Sequence, residues 1–309
     1  MDVGGTNVRI ARLIDEKLYD IESSPCRKYT GPEQVLSQYF LNHNLSDVNL
    51  CMAIASPSTV DIVDMINLDW KFSRQDLQLN LNLSSLTIIN DFHAMSLAIP
   101  TLSETEIVQI GNAEAEASKP IVVCGPGTGL GVSFLLPVEG RWMAVPGEGG
   151  HMDFAPNTKF ERKIWKCFHN KYGHVSAERM LSGPGLEELH QVIQDIDGKP
   201  AQVLSASEIT RLAIFNEEAT CVKTLNQFCA LLGSFSGSLA LSVGAFGGVY
   251  ICGGMVPKFI DFFMQSSFRN QFEDKGRYQS YNKRIPTYVV TAEHPGLRGA
   301  AQYLRQSII

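Results

Sequence analysis

An α/β fold is what this sequence predicts, on three observations. Short apolar runs alternate with helix-period segments along the chain. Two strand-turn-strand units recur, one around Gly4-Gly5-Thr6 and one around Gly127-Thr128-Gly129. A stretch without charged side chains, residues 224–257, is studded with small residues and ends in a short apolar run, as a buried helix leading into a buried strand does.

Taken in order, Val3, Val8, Ile10 and Leu13 flank the first glycine turn and read as strand, tight turn, strand. Pro32–His43 reads as a helix, Leu50–Ala55 as a short strand and Leu86–Asn90 as another that ends in Asp91. Phe92–Ile99 reads as a helix stopped by Pro100. The second unit comprises Ile121–Cys124, the loop Gly125–Gly131 and Val132–Leu136. Helical patterns then dominate from about Phe160 to Phe246. Strands at Gly248–Cys252 and Thr287–Val290 follow, and a short helix near residues 296–306 closes the chain.

A length of 309 residues suggests about two domains, and 44% hydrophobic against 19% charged residues can bury a sizeable core. The net charge of −6 argues against a polyanion-binding surface while allowing a local site for one small anion. No basic block and no RRM, zinc-finger or basic-zipper pattern occurs, so no nucleic-acid partner is expected. The seven cysteines are scattered, without zinc spacing, and read as free thiols of a reducing compartment. The N-terminus shows no apolar signal region, and a cytoplasmic protein is expected. Residues 224–257 are long enough to cross a bilayer, but Gly233, Ser234, Ser236, Gly237 and Ser238 favour a helix packed inside a protein.

The two glycine turns carry the first chemical signal. Glycine permits positive φ and close approach of backbone to an anion, and successive N–H groups in such turns form anion-binding nests. Each turn also carries a hydroxyl, Thr6 or Thr128, so the pair suits one polyphosphate. Neither a P-loop motif nor GxGxxG is present, which removes the P-loop and Rossmann readings.

Asp91 stands at the carboxyl end of an apolar strand, where open α/β sheets present catalytic groups. By spacing alone it reads equally as the N-cap of the following helix. Asn90 beside it can both donate and accept, as a sugar hydroxyl demands, or is a simple turn residue. Glu148 and His151 lie in a loop too rich in glycine to be helical, so they do not form a helical metal pair, and a hydrogen-bonded loop histidine is the plain reading. Glu178 falls near a helix start, where the dipole favours any acid. Gly253-Gly254 follows an apolar strand as a bulge or turn. The run Glu273-Asp274-Lys275 with Arg277 reads as a solvated face or a homodimer contact, and His294 as structural.

The segments Asp2-Val3-Gly4-Gly5-Thr6-Asn7-Val8-Arg9 and Gly125-Pro126-Gly127-Thr128-Gly129-Leu130-Gly131 resemble the two phosphate motifs of the sugar kinase/actin/Hsp70 superfamily. Ile89-Asn90-Asp91-Phe92, Pro146-Gly147-Glu148-Gly149-Gly150-His151, Ser176-Ala177-Glu178-Arg179, Gly253-Gly254-Met255-Val256-Pro257, Phe272–Arg277 and His294-Pro295-Gly296-Leu297 follow in the order found in bacterial glucokinases. The chain thus resembles the bacterial glucokinase family, in the branch without the zinc motif of the repressor/kinase (ROK) proteins.

The resemblance implies a two-domain ribonuclease-H-like, actin-like ATPase fold with an interdomain cleft. Its small domain would comprise 1–100 plus 290–309 and its large domain 101–289. It also implies ATP-dependent phosphorylation of glucose at the 6-hydroxyl, with Asp91 as the catalytic base. Asn90, Asp91, Glu148, His151 and Glu178 would then bind the sugar. Asp2, Gly4, Gly5, Thr6, Gly127, Thr128, Gly129, Gly253 and Gly254 would bind MgATP. Asp2 would hold Mg2+ through water, since magnesium keeps several waters and takes few carboxylates. Only Met1 precedes Asp2, where the family has further apolar residues, so either the start is displaced or the first strand is cut short and frayed. A kinase for mannose, fructose or an N-acylhexosamine, or a sugar-sensing regulator, are the alternative readings. An actin-like filament ATPase suits Asn90–Asp91 and Glu148–His151 less well.

Overall fold

Strands that are apolar along both faces must be covered on both, and parallel neighbours are the usual result. The segment Asn49–Ile54 is of this kind, since every residue after Asn49 is buried. A computed structural model describes residues 1–55, 61–65 and 68–308 of the chain. It divides into two units, Met1–Ser103 with Ala292–Ile309, and Glu104–Thr291.

The first unit contains β1 (Asp2–Val3), β2 (Asn7–Ile14), β3 (Lys17–Pro25), β4 (Asn49–Ile54), β5 (Ile62–Asp64), β6 (Lys71–Ser73) and β7 (Ser85–Asn90). Its helices are α1 (Pro32–His43), α2 (Arg74–Asn80), α3 (Asp91–Ala98) and a C-terminal helix, Pro295–Ile308. The main sheet has the order β3-β2-β1-β4-β7. Strands β1, β4 and β7 run parallel, while β1–β2 and β2–β3 are antiparallel hairpins. Helix α1 begins with Pro32 and ends at Asn44 in the left-handed region, φ 51°.

One expectation needs correcting here. Strand β1 is short but not frayed: Val3 is fully buried, Asp2 and Val3 pair on both sides, and Ala53 N–H donates to Met1 O at 2.9 Å. Helix α3 ends at Ala98 ahead of Pro100, as expected, and Ile99–Thr101 adds one 3-10 turn that accommodates the proline. Strand β3 had no signal in the sequence, and its exposure pattern shows why. Most of its residues face solvent; its pairing to β2 holds it, with α1 adding Tyr39 Oη, which donates to Asp20 O at 2.9 Å, and His43 Nε2, 2.8 Å from Glu22 Oε1.

The second unit contains β8 (Ile107–Ile110), β9 (Ile121–Pro126), β10 (Leu130–Val138), β11 (Arg141–Gly147), β12 (Gly248–Ile251) and β13 (Thr287–Val290) in the order β11-β10-β9-β12-β13-β8. Strands β9, β12 and β13 are parallel. Its helices are α4 (Lys159–Tyr172), α5 (Gly183–Ile196), α6 (Ala206–Ile214), α7 (Ala219–Val243), α8 (Ile260–Gln265), α9 (Phe268–Glu273) and α10 (Gln279–Lys283). Capping boxes start α4 (Thr158 with Glu161) and α6 (Ser205 with Glu208). Phe168, Phe228, Phe263, Phe268 and Phe272 lie wholly inside the core.

Small residues in α7 let another backbone approach. A Cβ at Gly233 would fall 2.1 Å from Phe268 O, and one at Gly237 2.5 Å from Phe272 O. No helix among the described residues is long and apolar enough to cross a membrane. The charged run near Lys275 is only partly a solvated face. Lys275 Nζ donates to Ser234 O at 2.8 Å, and Glu273 pairs with Arg269 at 2.7 Å, while Asp274 and Arg277 are exposed. From the segment after α9, the lysine stem reaches a carbonyl that the small residues of α7 leave accessible.

His190 is a fully buried polar group with a definite tautomer. Gln194 Nε2 lies 3.0 Å from His190 Nε2, and His190 Nδ1 lies 3.1 Å from Thr224 Oγ1. Gln194 Oε1 already accepts from Gln202 N–H at 2.9 Å, so the amide donates to Nε2 and the ring is neutral with its proton on Nδ1. Burial pushes its pKa below the usual imidazole value, with Glu218 opposing and Lys199 assisting. A depressed folded pKa means the unfolded chain binds the proton first. The stability contribution is therefore full above about pH 6.5 and is lost as pH falls toward the folded pKa. His190→Gln should flatten this limb: the wild-type midpoint should drop by a few degrees more than the variant's between neutral pH and about pH 5.5. Parallel thermal melts at the two pH values check it.

Candidate active site

In a parallel ladder all carboxyl ends meet at one edge, and each unit carries candidate residues there. In the first unit Val3 pairs with Ile54, and Ile54 with Asn90. Asp2 and Asn90-Asp91 therefore lie at the same edge, two ladder spacings apart, about 10 Å.

Asn90 is the N-cap of α3: its Oδ1 accepts from Phe92 N–H at 2.8 Å and His93 N–H at 3.2 Å. The alternative of Asp91 as the cap is thereby corrected, since Asp91 is the first helical residue, with Oδ1 2.9 Å from Phe92 N. With its oxygen held by two backbone donors, Asn90 offers a ligand its NH2 group. The C-terminal helix fixes α3 from behind. A Cβ at Gly299 would stand 1.6 Å from Ala94 O, so only glycine permits this crossing.

Asp2 is half-buried, with Arg9 Nη1 3.3 Å from its Oδ2. Its carboxylate rests on Gly296, in the first turn of the C-terminal helix, where a Cβ would come within 2.8 Å of all three carboxyl atoms. Burial pushes Asp2 above the usual carboxylate range, and Arg9 pulls it back. A carboxylate already occupied by Arg9 and wedged on Gly296 suits a water-mediated hold on Mg2+ better than direct coordination. Arg9 and Gly296 were visible only as members of their motifs, without a role of their own, and Gly299 was not singled out from the sequence. The motif around Gly296 was visible, but its contact with Asp2 joins residues at opposite ends of the chain.

The first glycine turn is closed by its own bonds: Gly4 N–H donates to Asn7 O at 3.0 Å, and Cys26 N–H to Thr6 O at 2.9 Å. Gly5 and Thr6 are exposed at its tip. The second turn is tighter than expected, because β9 and β10 pair as far as Pro126 and Leu130 and leave only Gly127-Thr128-Gly129 to turn. Gly127 N–H donates to Gly129 O at 2.8 Å, and Thr128 is exposed.

None of Gly4, Gly127 and Gly129 lies in the left-handed region, so positive φ is not what these positions require. They supply room. A Cβ at Gly129 would fall 2.5 Å from Glu178 Oε2, whereas one at Gly127 would meet nothing within 4 Å. Gly253 does carry positive φ, 90°, and a Cβ there would sit 2.8 Å from Pro126 O. Gly253-Gly254 therefore lies directly beside the second turn, and the space at Gly254 is open.

Glu178 was placed near a helix start; it lies instead in a single 3-10 turn, Ala177–Arg179, with α5 beginning at Gly183. Its Oε2 accepts from Leu130 N–H at 2.8 Å, and its Oε1 is 3.8 Å from His151 Nε2. Glu148 and His151 are exposed and bracket a 3-10 turn, Gly149–His151, tighter than a plain loop. Gly150 lets that turn lie on β10, since a Cβ there would be 2.1 Å from Leu130 O. The second unit thus gathers Gly127–Gly129, Gly253, Glu178 and His151 around Leu130. Asp2, Gly4–Thr6, Asn90 and Asp91 belong to the first unit.

Comparison with known proteins gives a consistent result. The family model described as Glucokinase matches residues 1–307. The glucokinase of Yersinia enterocolitica is 45% identical over 99% of this chain and 96% of that protein. The glucokinase of Colwellia psychrerythraea is 46% identical over 99% of this chain and 95% of that protein. The crystal structure of a glucokinase from an Antarctic psychrotroph is 32% identical, with a TM-score of 0.87, over 99% of this chain and 97% of that one.

Glu178 should hold the second turn through Leu130. A hydrogen bond to a charged acceptor contributes about 1.5–3 kcal/mol, so Glu178→Ala should speed amide exchange at Leu130 by roughly tenfold to a hundredfold. Glu178→Gln keeps an acceptor and should retain most of the protection. Residue-resolved hydrogen exchange on the two variants checks this.

Proposed function

Because the chain belongs to the glucokinase family and is an enzyme that phosphorylates glucose with ATP, we propose that Asp91 is the base that accepts the proton of the attacking hydroxyl. The observation that carries this reading is the place of Asp91, just past the carboxyl end of β7 at the sheet edge that also carries Asp2; the junction at Leu130 supports the wider site. One carboxylate, Glu178, faces both the second glycine turn and His151. Groups suited to sugar hydroxyls and N–H groups suited to phosphate therefore stand within a few ångströms, as transfer between them demands.

The sugar's 6-hydroxyl is a weak nucleophile while it holds its proton. Asp91 takes that proton as the oxygen bonds to the γ-phosphorus; the bond from that phosphorus to the bridging oxygen breaks, and ADP leaves. Asn90 donates its NH2 to a sugar oxygen. Glu148, Glu178 and His151 bind the remaining hydroxyls, the carboxylates accepting, and so orient the ring. Thr6 and Thr128, with the backbone N–H groups of their turns, address the phosphates, and Gly253-Gly254 gives the adenosine room against the backbone. Mg2+, held through water by Asp2, neutralises phosphate charge when bound. The same reading places the enzyme in the cytoplasm, where its free cysteines stay reduced.

Asp91→Asn keeps the shape and can still hydrogen-bond glucose, but an amide cannot take the proton. Loss of a general base costs on the order of 10²–10⁴ in rate, here in kcat with KM for glucose nearly unchanged. Since Asn90 provides the cap, helix α3 should persist. A coupled assay alongside circular dichroism checks both, and near-normal kcat in the folded variant would refute the assignment.

A further inference from the structure

Helix α4, KFERKIWKCFHNKY, is basic in a chain of net charge −6. The sequence shows no basic block there because the cations are spaced rather than contiguous; the helix gathers them. Lys159, Arg162, Lys163, Lys166, His169 and Asn170 recur at three- and four-residue intervals and all are exposed, forming one solvent stripe about 16 Å long. The acid within the helix, Glu161, is buried and accepts from Asn157 N–H and Thr158 N–H in the capping box. No acid lies in ion-pair range of Lys159, Arg162, Lys163 or Lys166 among the described residues, whereas Lys171, off the stripe, pairs with Glu188.

This arrangement works against the helix. Lys159, Arg162 and Lys163 crowd the N-terminal turns, where the dipole disfavours cations, and like charges repel at Lys159–Lys163 and Arg162–Lys166. A stripe serving only stability would carry acids at these places. The positive helix end and the side-chain cations instead reinforce one field, which an anionic partner would relieve.

Beside the stripe, Trp165 stacks on His169, ring centroids 4.6 Å apart and planes at 10°. Together with Phe154, Pro156, Arg162 and Lys166 they line a groove of about 630 Å3. We infer that this face of α4 docks an acidic peptide segment of another protein, with one bulky apolar side chain seated against Trp165 and its carboxylates on Arg162, Lys163 and Lys166. The charge on the stripe selects the acid, and the groove selects the apolar anchor. Lipid is the poorer fit because Ile164 and Phe168, the apolar face of α4, are committed to the core and cannot insert. A nucleic acid would extend past so short a stripe onto an acidic body, which repels a polyanion. A second copy meeting α4 on α4 would set like charges together.

The test is independent of the active-site reading. A fluorescein-labelled peptide of alternating glutamate and serine with one central phenylalanine is titrated with the full chain and followed by anisotropy. Binding should weaken at least about tenfold in Lys163→Glu/Lys166→Glu, and likewise in Trp165→Ala or when the peptide's phenylalanine becomes serine. It should also weaken with added salt. Glucose phosphorylation should be unchanged in the charge-reversed variant, showing that it is folded. Failure of the peptide to bind the wild type, or equal binding to the reversed variant, would overturn the proposal. So would tighter binding of an oligothymidylate or a phosphatidylserine vesicle, or sedimentation showing that the double reversal dissociates a dimer.

Discussion

The constraint on which the rest depends is that a buried parallel strand must have its backbone groups paired on both sides. Asn49–Ile54 meets it between β1 and β7, and Gly248–Ile251 between β9 and β13. Parallel pairing then requires a crossover between successive strands, which supplies the helices, and it brings like ends of strands to one edge. Asp2 and Asp91 in one unit, and the turn at Gly127 and the pair Gly253-Gly254 in the other, are neighbours for this reason.

Within that frame, glycine acts here mainly as a missing side chain. Gly129 makes room for the Glu178 carboxylate, Gly125 for the Cys252 carbonyl, Gly296 for Asp2 and Gly299 for the backbone of α3. At Gly125 and Gly299 a Cβ would strike backbone, and at Gly129 and Gly296 it would displace the carboxylate; each contact joins residues far apart in sequence. Packing at this density converts a local deletion of atoms into the position of a candidate catalytic group some distance away. The helix that carries Asp91 is held by the chain's last helix, so the proposed base is set by residues near the opposite terminus.

Charge is distributed with the same economy of contacts. Asp2 has Arg9, Glu178 has the Leu130 N–H, and Lys275 has a helix carbonyl, so each partly buried charge has a defined partner. The outer stripe of α4 stands apart from this pattern: among the described residues no acid pairs with its lysines, and Arg162 reaches only the Asn157 carbonyl, at 3.3 Å. Glu178 joins two kinds of work: it anchors a turn whose N–H groups suit phosphate and stands beside His151, which suits a sugar. That is why a single side chain links the two halves of the proposed transfer.

The α/β class, the main strands and the motif residues were legible in the sequence because apolar periodicity and turn chemistry are local. Thr287–Val290 and Pro32–His43 could be placed from their own residues. Strand β3, with few buried side chains, carried no such signal, and the turn at Gly127 looked longer than it is because its flanking strands zip up only when paired. Residues of the candidate site could be named from motif order, but not their contacts. That Asn90 rather than Asp91 caps α3, that Glu178 holds Leu130, and that Gly296 and Gly299 buttress Asp2 and α3 were decided by tertiary structure alone. A hydrogen bond or a close backbone crossing between residues dozens or hundreds apart leaves no periodic trace in either segment; it exists only once the chain has brought them together.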